Sequence, residues 1–160
     1  MKNIALFSFC TILVLSVFTS YAYGAPAQDA GVTFRDVEGK EWILSEFKNS
    51  GKTISIDRKK LEADGMGGFF TISFQEGRAS GMGAPNRYFG PYTAGANRTL
   101  STGNLASTMM AAFKEPDELK ESEYFAYLSK VTRWDLRKGN LELYCSGSNG
   151  GEVILIFTRR

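Results

Sequence analysis

Residues 77–92 read GRASGMGAPNRYFGPY. The glycines can reach positive φ angles, whereas the prolines fix φ and lack an N–H donor. In the second half, aromatic rings alternate with small or charged residues, which is typical of a strand leaving a shaped turn. We therefore predict a rigid glycine–proline turn followed by a bent strand over residues 86–92. Because proline cannot donate to a strand ladder, Pro91 predicts that this strand lies at a sheet edge or ends there.

Alternating apolar residues predict further strands on both sides of this turn. Residues 69–75 place Phe70, Ile72 and Phe74 on one face, and the glycine turn after them predicts a return strand over residues 78–81. A segment near the C-terminus is apolar on both faces and should be a central strand. That segment is residues 153–157; further strands are predicted at residues 41–44, 52–57 and 141–145, and from Trp134 onward.

Helical spacing occurs late in the chain. Residues 105–113 are predicted to form a short helix with Met109 turned inward. A second helix is predicted after Pro116, because apolar side chains then recur every three or four residues. Its stripe consists of Tyr124, Tyr127, Leu128 and Val131. Earlier in the chain, residues 58–68 predict a long loop and residues 32–39 a short strand and turn.

These elements together favour one fold class. The sequence contains about six to eight short strands with turns at even spacing, and it lacks the strand–helix alternation of a parallel sheet. It predicts a mainly β (α+β) fold, namely an antiparallel, barrel-like curled sheet with one or two helices late in the chain. The folded domain would occupy residues 37–160, after a flexible N-terminal segment over residues 25–36.

The chain begins with the features of a secretory signal peptide over residues 1–24. Lys2 is the only charge among them, and residues 4–18 form an apolar run that is short for a membrane span. Small residues then favour cleavage after Gly24, with cleavage after Ala27 as the second choice. We expect export to the periplasm or cell envelope, or secretion; a retained N-terminal anchor is the alternative.

The charge and the cysteine content limit which classes of partner and which thiol chemistry are expected. The formal net charge is +2 and becomes +1 once Lys2 is removed, which is too balanced to favour nucleic acid or an anionic membrane. Cys10 lacks the small preceding residue of a lipidated cysteine, so we expect no stable membrane anchor after cleavage. Cys145 would then be the only cysteine left, and its place in a strand favours a buried, inert thiol over a reactive one.

Groups for catalysis and metal binding are scarce. The chain has no histidine, which removes the commonest general base and the commonest metal ligand. We therefore expect no catalytic residue, no bound cofactor and no metal site. A cluster of acids is interpreted as solvated charge that favours a helix start; a hydrolase is the alternative, and it needs a second acid across a cleft. The cluster is Glu115, Asp117, Glu118, Glu121 and Glu123.

The glycine–proline turn and the strand after it form a candidate motif with either a structural or a recognition role. Arg87 lies among aromatic residues, so it either stacks on a ring and supports the turn, or meets a partner together with exposed rings. Asn86 can hydrogen-bond the backbone of the turn. The candidate residues are Gly81, Gly83, Pro85, Asn86, Arg87, Tyr88, Gly90 and Tyr92.

The same residues resemble a known family. The META/HslJ family has a central motif close to G-x-x-G-C-N-x-Y/F-x-G-x-Y, which is similar to residues 81–92. The resemblance extends over residues 37–157 and includes W-x-L at residues 42–44, T-x-M-A at 108–111, a glutamate-bearing helix ending at Leu128, and L-x-L at 141–143.

This resemblance carries expectations and one departure. It implies a small barrel-like domain of the bacterial envelope without settled biochemical activity; some members are linked to heat shock, drug resistance, or motility and virulence. Many members carry cysteines where this chain has Ala84-Pro85 and Ala112, so a disulfide or redox role is not expected here. We expect a non-enzymatic domain that binds an envelope protein or a small ligand, with a stress-related role as one option. A lipocalin-like carrier is the alternative, and it needs an interior cavity of roughly hundreds of Å³.

Overall fold

The computed structural model describes residues 31–111, 114–147 and 150–160, so the predicted signal peptide lies outside the described residues. The described chain forms ten strands and two α-helices. The strands are β1 (Glu41–Asn49), β2 (Lys52–Ser55), β3 (Thr71–Gln75), β4 (Arg78–Met82), β5 (Arg87–Ala94), β6 (Leu100–Thr102), β7 (Ala106–Ser107), β8 (Val131–Arg137), β9 (Asn140–Ser146) and β10 (Glu152–Arg159). The helices are α1 (Arg58–Ala63) and α2 (Glu121–Leu128), and short 3-10 helices lie at Phe34–Asp36 and Ala96–Arg98.

The strands form one antiparallel sheet that curls into a nearly closed barrel. Its order is β6-β5-β4-β3-β1-β10-β9-β8, with β2 paired to β1 and β7 paired to β5. The two ends of this order meet, because Thr99 pairs with Arg133 and the Thr102 hydroxyl donates to the Leu128 carbonyl at 2.6 Å. The predicted mainly β, barrel-like antiparallel fold is confirmed, although the described strands outnumber the six to eight expected.

Strand alternation places the core inside this curled sheet. In β1, Trp42 and Leu44 are buried, as their shared face predicted. The predicted hairpin of β3 and β4 is confirmed, since Phe74 pairs with Ala79 in register. The predicted central strand is β10, which lies between β1 and β9 and buries both Leu155 and Ile156.

The 3-10 helix at Phe34–Asp36 replaces the short strand predicted for residues 32–39. The Asp36 carboxylate accepts a hydrogen bond from the Thr33 amide at 2.8 Å, which fixes this turn. The Phe34 ring packs 5.2, 5.3 and 5.2 Å from the rings of three core residues. Those residues are Phe74, Tyr92 and Trp134. The N-terminal segment therefore contributes a ring to the core from Phe34 onward.

Helix α1 occupies part of the region predicted as a loop, so that prediction was wrong. Asp57 caps this helix, because its side chain accepts from the Lys60 amide at 3.0 Å. Leu61 is the buried residue of the helix. With a single buried position, α1 carries no repeating apolar stripe, which is why the periodicity missed it.

The helix predicted over residues 105–113 is absent from its described part. Residues 105–111 instead contain the two-residue strand β7 and irregular backbone, and residues 112–113 lie outside the described residues. Met109, predicted to turn inward, is 99% exposed. This segment is held by hydrogen bonds to distant residues, which its own sequence pattern cannot reveal.

Helix α2 and strand β5 differ from prediction at their bounds. Helix α2 begins at Glu121, later than Pro116 suggested, and Val131 belongs to β8 although it continues the apolar stripe. Strand β5 neither ends at Pro91 nor lies at the sheet edge, since it continues to Ala94 and pairs with β6. Proline is accommodated because its nitrogen faces the gap where the outer neighbour of β5 changes from β7 to β6.

Candidate functional site

The motif strand β5 separates the candidate residues into two sets. Tyr88, Gly90 and Tyr92 are buried, whereas the residues that alternate with them, Arg87, Phe89 and Pro91, are exposed. This strict alternation follows from the two-residue period of a strand with one face against the core. The two sets therefore contribute to different parts of the protein: one to the core and the other to the surface.

On the inner face, Tyr88 and Tyr124 share one backbone acceptor. Both hydroxyls donate to the Thr71 carbonyl, at 2.8 and 3.1 Å. Burial raises the pKa of Tyr88 well above its ordinary value, with Tyr124 adding to the effect. Gly81 pairs with Tyr88, and a Cβ atom there would lie 2.0 Å from the Thr71 carbonyl oxygen. Only glycine leaves room for this arrangement.

Tyr92 is a second core residue of the motif. Its ring centroid lies 5.0 Å from that of Phe74, and its hydroxyl donates to the Glu38 carboxylate. Burial, followed by the bond to Glu38, raises the pKa of Tyr92 to about 12. The sequence left open whether the rings of the motif support the fold or meet a partner; in the structure, the rings of Tyr88 and Tyr92 lie in the interior.

Asn86 ties the turn to the irregular segment before α2. Its Nδ2 atom donates to the Met110 carbonyl at 3.1 Å and to Glu121 Oε2 at 2.7 Å. Its Oδ1 atom accepts from the Met110 amide at 2.6 Å and from the Thr108 hydroxyl at 2.8 Å. The side chain is buried and uses its full hydrogen-bonding capacity, so it serves the fold rather than a ligand.

Glu121 completes this arrangement from the first turn of α2. Its Oε1 atom accepts from the amides of Ala84 and Asn86, at 2.5 and 2.7 Å, on either side of the cis Ala84–Pro85 peptide bond. A Cβ atom at Gly83 would lie 2.5 Å from Oε1. Glu121 was interpreted as solvated charge that favours a helix start: it does lie in the first turn of α2, but its carboxylate is bound to the turn rather than solvated. The residue's own neighbourhood in sequence gives no signal of a contact 35 positions away.

Three of the other acids in the predicted cluster lie close to a lysine ammonium or a helix amide. Glu115 lies 3.8 Å from the Lys120 ammonium and Asp117 lies 4.0 Å from that of Lys60. The Glu123 carboxylate accepts from the Lys120 amide at 3.1 Å. The cleft beside them has a volume of about 10 Å³, too small for a substrate. These geometries fit surface and helix-start roles.

Cys145 is the remaining group with reactive potential. It is buried in β9, as predicted, and burial raises the pKa of its thiol, which disfavours the nucleophilic thiolate. Among the described residues, no group of three Cys, Asp or Glu side chains is placed to hold a metal ion.

The outer face of β3, β4 and β5 forms a surface groove with a volume of about 510 Å³. The Arg78 guanidinium lies 4.1 Å from the centroid of the Phe89 ring, and 47% of Phe89 is exposed. At the rim, Arg160 Nη1 lies 3.0 Å from Glu41 Oε1. The groove is lined chiefly by Ser73, Arg78, Ser80, Met82, Arg87 and Phe89.

Arg78 and Arg87 are the charged residues of this groove that lack a counter-ion. Within the part of the chain that the structure describes, no carboxylate lies within 4.0 Å of either guanidinium. Arg87 and its neighbouring rings were noted from sequence, but Arg78 was missed. The hairpin predicted for β3 and β4 places Arg78 opposite Gln75, but its position beside Phe89 depends on the register of β4 on β5, which the sequence did not reveal.

Fold and motif together define a small antiparallel β-barrel-like domain with a glycine–proline turn closed by glutamate. Residues 35–159 match the META domain, and the chain belongs to the META domain family. Among solved structures, the NMR structure of a protein from Burkholderia xenovorans is similar, with a TM-score of 0.60 and 24% identity, covering 86% of this chain and 97% of that chain. This likeness concerns the fold.

A second solved structure is more distant. The crystal structure of a DUF4847 family protein from Bacteroides vulgatus has a TM-score of 0.49 and 16% identity, covering 78% of this chain and 95% of that chain. No curated protein matches this chain. In the described chain, both α-helices are too short to cross a membrane.

Proposed function

We propose that this META domain is an exported, non-enzymatic protein that binds a protein partner in the bacterial cell envelope through the groove on its outer face. The observation that carries the proposal is the division within β5. The buried motif residues are fully engaged in the fold, whereas Arg87 and Phe89 face solvent. Two arginines without counter-ions beside a half-exposed ring are typical of a recognition surface.

Several features support a function other than catalysis. The chain has no histidine, the Glu121 carboxylate is bound to the turn before β5, and Cys145 is buried. A hydrolase would need two acids facing each other across a substrate-sized cleft. The described acids and their 10 Å³ cleft give that alternative no support.

The interior of the barrel is filled with side chains, which argues against the small-ligand carrier. A small-ligand carrier needs an interior space of roughly 300 Å³ or more. Large side chains with 2% exposure or less occupy the inside of the barrel instead. They include Trp42, Phe70, Phe74, Tyr88, Tyr124 and Phe157. Binding at the outer surface therefore fits this domain better than transport within it.

Site-specific crosslinking in cells tests the proposed surface. A photo-crosslinking benzoylphenylalanine replaces Phe89, and the matched control carries it at the exposed Lys59 on α1. We expect a defined protein crosslink from position 89 that position 59 does not give, and Arg87→Glu should reduce it without lowering the melting temperature. Equal crosslinking from both positions would remove the support for this groove.

Export is tested by cell fractionation and by the mass of the purified protein. The proposal expects the protein outside the cytoplasm, beginning at Ala25 or, for the second cleavage site, at Gln28. A cytoplasmic protein that retains residues 1–24 would contradict the envelope location. A stress-related role is tested by comparing growth of a deletion strain with and without heat.

A further inference from the structure

We propose that the groove takes an extended acidic segment of a partner protein, with two carboxylate side chains two residues apart. This inference rests on the proposed binding function and names the chemistry of the partner. It draws on the charge, spacing and exposed polar groups of the groove.

Charge is the first argument. Three arginines line the groove, and its one acid, Glu41, already lies 3.0 Å from Arg160. The charges of Arg78 and Arg87 therefore remain unneutralised in this part of the surface. A guanidinium binds a carboxylate through two parallel hydrogen bonds, which favours acidic side chains as the complementary groups.

Spacing is the second argument. Arg87 and Phe89 lie two residues apart on the same face of β5, and the Arg78 guanidinium is stacked on the Phe89 ring. Arg78 itself pairs with Pro91, but its guanidinium lies over the ring of Phe89, a residue about 6.6 Å from Arg87 along β5. Side chains on one face of an extended peptide repeat at the same interval. An extended segment can place one carboxylate at each arginine.

Exposed polar groups are the third argument. Ser73, Ser80 and Phe89 form one row across β3, β4 and β5, because they pair in register. In the described structure, neither serine hydroxyl has a hydrogen-bond partner, although both line the groove. These hydroxyls can bond to peptide groups of a segment lying on the ring. A membrane surface would instead favour a broad cluster of basic residues.

Titration of the purified protein with fluorescent synthetic peptides tests the inference. The probe contains the sequence Glu-Leu-Glu; the controls are Gln-Leu-Gln, and a peptide of the same composition with the glutamates adjacent. We expect the probe to bind at least about tenfold more tightly than the glutamine peptide, because two charge-assisted pairs are lost in the latter. The peptide with adjacent glutamates should bind more weakly than the probe.

Protein variants identify the site. Arg87→Gln and Arg78→Gln should each weaken binding of the probe about tenfold, Arg87→Lys should weaken it less, and the exposed Arg35→Gln should leave it unchanged. Unfolding curves confirm that each variant is folded. Equal binding of the glutamate and glutamine peptides, or no effect of Arg87→Gln, would overturn the inference.

Two further probes separate other anionic ligands. Vesicles containing phosphatidylglycerol and inorganic phosphate should neither bind tightly nor displace the peptide; displacement by either would assign the groove to phosphate groups and overturn the inference. Crosslinking from position 89 in cells without preference for the acidic peptide would leave the proposed function standing and refute this chemistry. If position 89 gives no specific crosslink and the protein shows no preference for the acidic peptide, both the proposed function and this partner chemistry are refuted.

Discussion

Glu121 joins three parts of the chain that lie far apart in sequence. Its two carboxylate oxygens accept hydrogen bonds from the turn before β5 and from the Asn86 side chain, which in turn holds Met110. A carboxylate that accepts several donors at a half-buried site contributes more than a surface charge, since its removal leaves buried donors without partners. The family motif around Asn86 thus has a structural explanation.

Replacement of Glu121 tests this explanation. In Glu121→Gln, one of the two acceptor oxygens becomes an NH2 group. This donor must face either the Asn86 Nδ2 donor or the two backbone amides, so at least one hydrogen bond is replaced by two donors that face each other. We expect a loss of about 1–3 kcal/mol in the free energy of unfolding, measured with a chemical denaturant. Glu118→Gln is the control and should change it by less than about 0.5 kcal/mol. Equal effects of the two would contradict the role assigned to Glu121.

Replacement of Gly81 tests its close approach to the Thr71 carbonyl, which accepts the hydrogen bonds of Tyr88 and Tyr124. In Gly81→Ala, the added Cβ atom would lie 2.0 Å from the Thr71 carbonyl oxygen, so β3 and β4 must shift. We expect a loss of about 3 kcal/mol or more in unfolding free energy, the upper end for overpacking. Gly151→Ala is the control because no atom lies within 4 Å of its Cβ position. A Gly81 variant as stable as the control would contradict the close approach of Gly81 to Thr71.

The elements that are determined by nearby residues could be predicted from the sequence, whereas those that are held by tertiary contacts could not. The hairpin of β3 and β4, the turn before β9 and the central β10 follow from alternation and turn residues over a few positions. Residues 105–111 have the composition of a helix, but Asn86 holds them in an irregular path. Tertiary hydrogen bonds outweigh a weak local preference, which amounts to tenths of a kcal/mol per residue.

The residues of the candidate site could likewise be predicted only in part. Sequence identified the motif strand and Arg87, because the residue types are unusual. It did not identify which rings face solvent, because both faces of β5 carry aromatics and only the barrel distinguishes them. Arg78 required the register of β4 on β5, where it pairs with Pro91.

The irregular segment supplies a prediction about local stability. Asn86→Ala removes the acceptor of the Met110 amide, so this amide should exchange with solvent much faster than in the unmodified protein. Hydrogen exchange followed by NMR measures this. The Leu155 amide in β10 serves as the internal control and should keep its protection as long as the barrel stays folded. Unchanged exchange at Met110 would show that other contacts hold the segment.

At the scale of the whole molecule, the barrel encloses or half-buries all five tyrosines of the described chain. Burial is the leading cause that raises the pKa of each, to about 12 for Tyr92. In the unfolded chain these phenols titrate near pH 10. Between pH 10 and about 12 the folded state keeps protons that the unfolded state releases, so the free energy of unfolding falls as the pH rises.

An alkaline titration of the protein lacking residues 1–24 tests this coupling. We expect little phenolate absorbance at pH 10, then a steep rise above it that coincides with the loss of the β-sheet circular dichroism signal. Below pH 10, these tyrosines should make no contribution to the pH dependence of the free energy of unfolding. A gradual rise centred near pH 10 in a protein that stays folded would mean that the rings are accessible.

The division of β5 into one face that builds the fold and another that we propose for binding underlies these expectations. Its most direct test is the free energy of unfolding of a variant that combines Arg78→Thr, Arg87→Thr and Phe89→Thr, since threonine suits a strand. We expect a loss below about 1.5 kcal/mol, because the three side chains have only surface contacts. A loss above about 3 kcal/mol, the size seen for core residues, would show that the outer face also serves the fold and would contradict the account.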